Sequence, residues 1–118
     1  MKMVTAIIRP EKVDEVLNAF EKHNVPGVTI TNVLGRGEQG GICLQYRAGK
    51  MQIHTLPKTK LEVVIQDKYV EGLIKLIREH AHTGEKGDGR IFVLPVEEVA
   101  WVRSDEIIKG DDVVADSQ

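Results

Sequence analysis

A hydrophobic pattern that occurs twice constrains this chain more than any other feature of its sequence. In each occurrence a β-branched, strand-like segment leads into a segment with apolar residues at the i, i+3, i+4 and i+7 spacing of a helix face. The matched residues lie 57 positions apart: Val4 with Leu61, Ile8 with Ile65, Val13 with Val70, Val16 with Leu73, Leu17 with Ile74 and Phe20 with Ile77. The sequence therefore predicts two copies of one β-α unit.

Each predicted helix is followed by another strand-like segment. Residues 28–34 are rich in β-branched side chains, and Ile91, Phe92 and Val93 follow the helix stop at Thr83-Gly84. Two β-α-β units in tandem can pack both helices on one face of a four-stranded, mostly antiparallel sheet. We therefore predict an α+β fold of the ferredoxin-like double β-α-β type, as a single domain over residues 1–118. The helices would cover one sheet face only, so we expect an oligomer.

Composition narrows the class of partner. The chain has 118 residues, enough for one core, and 16 Lys and Arg against 18 Asp and Glu give a net charge of -2. That balance argues against nucleic acid or an anionic membrane as the main partner. The apolar runs are too short to span a bilayer, and a single cysteine, Cys43, excludes an internal disulfide. With no signal-peptide pattern at the start, we expect a cytoplasmic protein.

Two segments fall outside the regular pattern. Residues 35–58 form a long connection without clear periodicity, which is usually functional or mobile. Near the end of the chain, Val99, Trp101 and Val102 are expected to form a short strand. Residues 104–118 are a C-terminal tail, expected to be poorly ordered from Ile107 to Gln118.

Both candidate binding loops are rich in glycine. Residues 35–40 fit GxGxxG after a strand, but no helical pattern follows, so we reject a dinucleotide-binding site. Residues 83–90 are not a Walker A loop, because Arg90 follows Gly89 where Lys is needed. Clustered glycines allow backbone N–H groups to converge on an anion, while a flexible hinge and a helix cap are the alternatives. With Lys58, Arg90 and Arg103 as cations, a polyphosphate is the ligand that such a site would suit.

We find no pattern typical of a catalytic or metal site. His80 and His82 are two apart and point to different faces of a helix, and neither they nor His54 belong to a set with metal-ligand spacing. No nucleophile motif or carboxylate pair is present, which favours a binding protein over an enzyme. The alternative is a small trimeric ferredoxin-like enzyme or metal-tolerance protein that binds no nucleotide.

At these motifs the chain resembles the PII signal-transduction proteins, the nitrogen regulatory family. The resemblance runs from Met1 to about Arg103 and depends on four blocks: Met1-Lys2 through Ala6-Ile7-Ile8-Arg9-Pro10, residues 35–41, Leu56-Pro57-Lys58, and residues 83–93. It implies a homotrimer that binds ATP or ADP in the clefts between subunits, with 2-oxoglutarate joining Mg-ATP. By the resemblance, residues 35–58 are the effector loop and residues 83–90 the phosphate loop.

The resemblance also implies individual roles. The nucleotide would be bound by Thr29, Gly37, Glu38, Gln39, Glu62, Val64, Gly87, Asp88, Gly89, Arg90 and, from the neighbouring subunit, Arg103. The 2-oxoglutarate would be bound by Gly37, Gln39, Gly40, Gly41, Lys58 and Gly87, with the Gln39 amide oxygen on Mg. Replacing Gly87 or Gly89 by a β-branched residue is expected to remove nucleotide binding and leave the fold intact.

The implied partner is a nitrogen-metabolism protein: nitrogenase, glutamine synthetase or an ammonium transporter, with a membrane involved only through the last of these. The segments 9–12, 56–59 and 95–98 are similar to the nitrogenase-regulating branch of archaea and anaerobic bacteria. Met51 stands where most members have a modifiable Tyr, and Gly49 where another branch has a phosphorylated Ser, so we predict no modification of this loop. Trp101 stands where many relatives have a second Arg.

Overall fold

The computed structural model describes residues 1–36, 42–46, 49–53 and 55–110, with the backbone alone described for the two short ranges. In chain order the elements are β1 (Lys2–Ile8), α1 (Val13–Lys22), β2 (Thr29–Gly35), β3 (Ile42–Tyr46), β4 (Gly49–Ile53), β5 (Leu56–Ile65), α2 (Val70–Ala81), β6 (Gly89–Pro95), β7 (Glu98–Ala100) and β8 (Ile107–Lys109). A short 3₁₀ turn precedes each helix, at Pro10–Lys12 and at Asp67–Tyr69. These two turns begin 57 positions apart, as the sequence repeat predicts.

The main sheet has the strand order β2-β5-β1-β6, and all its neighbouring strands are antiparallel. Strand β5 of the second unit lies between β1 and β2 of the first, so the two units interleave. The predicted α+β class and antiparallel ferredoxin-like arrangement are confirmed.

The core repeats the sequence pattern residue by residue. Six buried positions of the first unit each have a buried counterpart 57 positions later: Val4 and Leu61, Ala6 and Val63, Ile8 and Ile65, Val16 and Leu73, Ala19 and Leu76, Phe20 and Ile77. Alternation along the strands places these side chains on one sheet face, beneath the two helices. Within the described residues no helix is long and apolar enough to cross a membrane.

The opposite sheet face is not covered by any described element of the chain. Alternation places Phe92 and Leu94 of β6 on it, and they are 45% and 44% exposed. The register aligns them with Thr5 and Met3 of β1. This face therefore exposes apolar side chains that the described part of the chain does not itself cover.

The expectation of a long irregular connection at residues 35–58 is wrong in two respects. Strand β5 begins at Leu56, five residues before the predicted start at Leu61, and it pairs with β2 from there. Strands β3 and β4 also form an antiparallel hairpin within the segment. Lys58 and Lys60 interrupt the apolar pattern, and for this reason the early part of β5 was not predicted.

The C-terminal region also differs from the prediction. The short strand β7 ends at Ala100, so Trp101 and Val102 lie in the turn that follows it. Ile107–Lys109 pairs with β7, and this part of the predicted tail is therefore ordered. Residues 111–118 lie outside the described part of the chain.

Candidate functional site

The predicted phosphate loop folds around the carboxylate of Asp88. One carboxylate oxygen, Oδ2, accepts hydrogen bonds from the backbone N–H groups of Thr83 and Gly84, both at 2.9 Å. The other, Oδ1, accepts a hydrogen bond from the Thr83 hydroxyl. Because α2 ends at Ala81 and β6 begins at Gly89, these bonds close the connection between them into a compact loop.

The same bonds lower the pKa of Asp88 well below its ordinary value. The hydrogen bond from the Thr83 hydroxyl makes the largest contribution, and partial burial opposes it. Backbone hydrogen bonds from Thr83 and Gly84 and the guanidinium of Arg9 lower the pKa further. Asp88 is therefore a carboxylate at neutral pH, and its negative charge belongs to the internal structure of the loop.

Arg9, at the end of β1, ties the loop to the sheet. Its Nε donates to Oδ1 of Asp88 at 3.0 Å, and its Nη2 donates to the Lys86 carbonyl at 2.8 Å. The Arg9 side chain is 23% exposed. Sequence analysis missed this residue as part of the site, although it stands 57 positions before Gln66 and so marks a difference between the repeats.

Lys58 links the same loop to β5. Its side chain is 8% exposed, and its ammonium donates to the Gly87 carbonyl. A buried cation therefore lies beside the loop, where sequence analysis expected a cation for an anionic ligand. The structure brings Lys58 and Gly87 together from positions 29 residues apart.

Three glycines of the loop have the positive φ angles that favour glycine: 90° at Gly84, 97° at Gly87 and 104° at Gly89. In the described part of the chain, the backbone N–H groups of Lys86 and Gly87 have no acceptor. The loop thus offers main-chain donors together with two neighbouring cations, Lys58 and Arg9, which is the chemistry that a phosphate requires.

Gly89 requires a correction. A Cβ on this residue would lie far inside contact distance of the Ile7 carbonyl oxygen, which is backbone and cannot move aside. Gly89 is therefore needed for the pairing of β6 with β1, and the expectation that a β-branched residue there would spare the fold is wrong. The expectation for Gly87, whose φ is also positive, stays a prediction.

Five of the predicted ligand-binding residues share the uncovered face of the sheet. Alternation and register place Lys58, Glu62 and Val64 of β5 on it, with Thr29 of β2 opposite Glu62. Arg90 of β6 has the same orientation, because its register partner Ile7 lies on this face. The residues expected at the adenosine and those expected at the phosphates thus lie on one surface.

Arg103 is not brought to this surface within one chain. It lies in the turn between β7 and β8, a hairpin that leaves β6 at Pro95. Pro95 is paired with Lys2, at the opposite end of the sheet from Gly89 and the phosphate loop. That Arg103 reaches the site from a neighbouring subunit stays a prediction.

The predicted residues on the base of the effector loop lie outside the described part of the chain: Gly37, Glu38, Gln39, Gly40 and Gly41. His54 lies outside it as well. Among the residues that the structure does describe, no three His, Cys, Asp or Glu side chains are grouped as a metal site would need.

Comparison with known proteins places these features in a family. The family described as Nitrogen regulatory protein P-II matches residues 1–106. The chain is 47% identical over 106 residues to Nitrogen regulatory protein P-II 2 of Methanothermobacter thermautotrophicus, covering 90% of this chain and 92% of that protein. It is 46% identical over 114 residues to Nitrogen regulatory protein P-II of Azospirillum brasilense, covering 97% of this chain and all of that protein. A third relative, from Mesorhizobium japonicum, is 45% identical over 106 residues.

Proposed function

The chain belongs to the nitrogen regulatory protein P-II family, and from that membership we propose that it is a homotrimeric sensor of ATP, ADP and 2-oxoglutarate. As a member of this family it is a signal-transduction regulator of nitrogen metabolism and not an enzyme. The finer points proposed here are its ligands, its assembly and its route to a target.

One observation carries the proposal of nucleotide binding: hydrogen bonds to the Asp88 carboxylate hold the loop at residues 83–88 in one closed shape. Asp88 closes it, and Lys58 and Arg9 place two cations against its carbonyl side. A preorganised set of main-chain donors costs little entropy on binding an anion. In the proposal, Gly87, Gly89 and Arg90 bind the phosphates, and Asp88 contributes through its main chain because its carboxylate is engaged by the loop.

The adenosine is proposed to lie against Thr29, Glu62 and Val64, which share the uncovered sheet face. Gly37, Glu38 and Gln39 would complete the nucleotide site from the effector loop, with the Gln39 amide oxygen on Mg²⁺. That ion, a hard cation with a preference for oxygen, would neutralise the phosphates and accept 2-oxoglutarate as a further ligand.

The 2-oxoglutarate is proposed to bind between Lys58 and the amides of residues 37–41, which include Gly40 and Gly41. In the structure the Lys58 ammonium donates to the Gly87 carbonyl. A carboxylate arriving there would compete for this ammonium, so the keto acid and the phosphate loop would be coupled through one side chain.

The trimer is proposed from the uncovered face, where Phe92 and Leu94 are about half exposed. Burying this face against two neighbours would remove its apolar area from water and bring Arg103 of one subunit to the phosphate loop of the next. Light scattering on Phe92→Asp should give a smaller particle than the parent protein. Tyr69→Asp, at a residue 51% exposed in the turn before α2, is the matched control. A parent protein with the mass of one chain would contradict the trimer.

Calorimetric titration tests the ligands. ATP and ADP should each bind, and 2-oxoglutarate should bind only when Mg-ATP is present. Lys58→Met should weaken 2-oxoglutarate by about 2–5 kcal/mol, as the loss of one partner of a buried charge pair typically does, and weaken ATP much less. Lys22→Met, at the exposed end of α1, should change neither. Absence of ATP binding would leave the alternative, a ferredoxin-like protein without nucleotide sensing.

The effector loop is proposed to carry the signal to a nitrogen-metabolism target: nitrogenase, glutamine synthetase or an ammonium transporter. Assignment to the nitrogenase-regulating branch, absence of loop modification and a cytoplasmic location stay predictions from the sequence.

A further inference from the structure

We propose that Arg9 is a positioning residue for the phosphate loop, which it holds in the shape that binds the nucleotide without contacting the nucleotide itself. This inference rests on the proposed nucleotide site and assigns to it a residue that the sequence motifs did not include.

The backbone of Arg9 is fixed before its side chain is considered. It follows Ile8, which pairs with Gly89 at the start of β6, and its ψ of 136° is the extended value that a following proline favours. Its carbonyl accepts a hydrogen bond of 3.0 Å from the Lys12 N–H, in the turn that leads to α1. The guanidinium therefore extends from a backbone position that is fixed at the end of β1, an inner strand of the sheet.

Two contacts let this guanidinium set both the position and the orientation of the loop. The bond from Nε to the Asp88 carboxylate, at 3.0 Å, fixes the residue around which the loop closes. The bond from Nη2 to the Lys86 carbonyl, at 2.8 Å, fixes the peptide plane that follows Lys86. The two parallel N–H groups on one side of the planar guanidinium suit this pair of acceptors.

The orientation of that peptide explains the effect on a ligand. In a planar trans peptide the C=O and the next N–H point in opposite directions. With the Lys86 carbonyl turned toward Arg9, the Gly87 N–H must point away from it, and the described part of the chain has no acceptor for this N–H. Lys58 orients the next peptide in the same way, because its ammonium donates to the Gly87 carbonyl. Arg9 therefore directs a main-chain donor to the side opposite its own charge.

The internal repeat supplies a natural comparison. The residue 57 positions after Arg9 is Gln66, at the matching end of β5, and the connection near it, residues 23–28, contains no Asp or Glu. Arg9 belongs to the first unit and Asp88 to the connection of the second, so the arginine occurs at the strand end that faces a carboxylate, and glutamine at the matching end that faces none.

Calorimetric titration of ATP into the full chain and three variants tests the inference. We expect Arg9→Gln to bind roughly tenfold more weakly, the loss typical of a charge-assisted hydrogen bond. Arg9→Lys, which keeps the charge and can make one of the two bonds, should fall between this variant and the parent. Lys12→Gln, which removes a neighbouring surface cation, should bind as the parent does. Equal affinity of Arg9→Gln and the parent would overturn the inference, whereas a parent that does not bind ATP would overturn the proposed function instead.

A double-mutant cycle with Asp88→Asn separates positioning from direct contact. If Arg9 acts through Asp88, adding Arg9→Gln to Asp88→Asn should cost much less than it does alone. Fully additive losses would mean that Arg9 does not act through Asp88 and would overturn a positioning role that depends on both contacts. Nuclear magnetic resonance of the Asp88 carboxyl should also show its pKa rising in Arg9→Gln. If Arg9→Gln does not fold, Arg9→Lys decides, because unchanged ATP affinity in that variant contradicts the forked contact.

Discussion

The two connections that follow the helices differ although the units they join are repeats. After α1, the chain closes on its own backbone: the Val25 N–H donates to the Phe20 carbonyl at 2.9 Å and the Asn24 N–H to the Glu21 carbonyl at 3.2 Å. Asn24 has a φ of 55°, so this is a Schellman-type helix end. After α2, the carboxylate of Asp88 and the guanidinium of Arg9 hold the chain instead.

The difference shows where a repeat can acquire function. After α1 the N–H groups of His23, Asn24 and Val25 all donate to backbone carbonyls, so this helix end needs no side chain to close it. A backbone capped by a side chain keeps some of its N–H groups available, as at Lys86 and Gly87. The second unit differs by two more helical residues and one more loop residue, since α2 has 12 residues against 10 in α1 and residues 82–88 replace residues 23–28.

The largest effect is expected at the entry to the last strand of the sheet. Gly89→Ala would place a Cβ against the Ile7 carbonyl, so we expect a loss of about 3–5 kcal/mol in the free energy of unfolding, the range of severe single mutations. Gly84→Ala is the control: its φ is also positive, but its nearest neighbour would be the His82 ring at 3.7 Å, and about 1–2 kcal/mol is expected. Chemical denaturation compares them, and equal losses would show that φ alone matters at Gly89.

A matched pair of substitutions then separates the two connections by function. Thr83→Val removes the hydroxyl that donates to Asp88 and accepts from the Glu85 N–H, so ATP affinity should fall roughly tenfold. Asn24→Ala should lower the free energy of unfolding by about 1 kcal/mol, the cost of a left-handed alanine, and leave ATP affinity unchanged. Calorimetry with ATP and denaturation of both variants make the comparison. A loss of ATP affinity in Asn24→Ala would contradict the separation.

Acid should affect the second connection and spare the first. The folded pKa of Asp88 lies below its unfolded value of about 3.9, so its contribution to stability is complete well above pH 4 and is lost progressively as pH falls from there toward the lower, folded pKa. Hydrogen exchange of the Thr83 and Gly84 amides, followed from pH 6 downward, should therefore show protection falling before that of Asn24 and Val25. Asp88→Asn should remove this pH dependence, and parallel curves for both connections in the parent would be the contrary result.

The smallest expected effect is a gain. Gly72, inside α2, stands 57 positions after Glu15, and a Cβ on it would meet nothing within 4 Å. Glu15 accepts from His80 across the helix pair at 3.0 Å, whereas Gly72 lines an open groove that also contains His23. Gly72→Ala should raise the free energy of unfolding by roughly 0.5–1 kcal/mol without changing ATP affinity. A decrease in the free energy of unfolding, measured by chemical denaturation, would contradict the open space around Gly72.

The sequence predicts the parts of this fold that depend on local periodicity. The apolar repeat located both β-α units, because buried positions recur at every second residue of a strand and every third or fourth residue of a helix. The early part of β5 was missed because a lysine normally predicts an exposed position. Lys58 is buried here, and its ammonium donates to a carbonyl 29 positions away.

The candidate site is divided in the same way. The glycine-rich block at residues 83–90 was identifiable because its backbone angles demand particular residues. The bond between Arg9 and Asp88 joins residues 79 positions apart and follows from no local pattern. The bonds of the Asp88 carboxylate to its own loop were not predicted, because the sequence does not reveal whether an acidic side chain faces its own backbone or a ligand.

The staggered ends of the main sheet have a consequence for the way this protein can diversify. Strand β1 reaches only to Thr59 of β5, but β2 continues to pair with β5 as far as Leu56, opposite Gly35. The segment between Gly35 and Leu56 is therefore anchored by two chain ends that lie one strand spacing apart, about 4.8 Å. These ends belong to the part of β2 and β5 that extends past the core. Because the closure entropy of a loop grows only slowly with its length, this anchorage can accept an insert of another sequence or size at small thermodynamic cost. The main sheet and its two helices can stay constant while the inserted segment is exchanged.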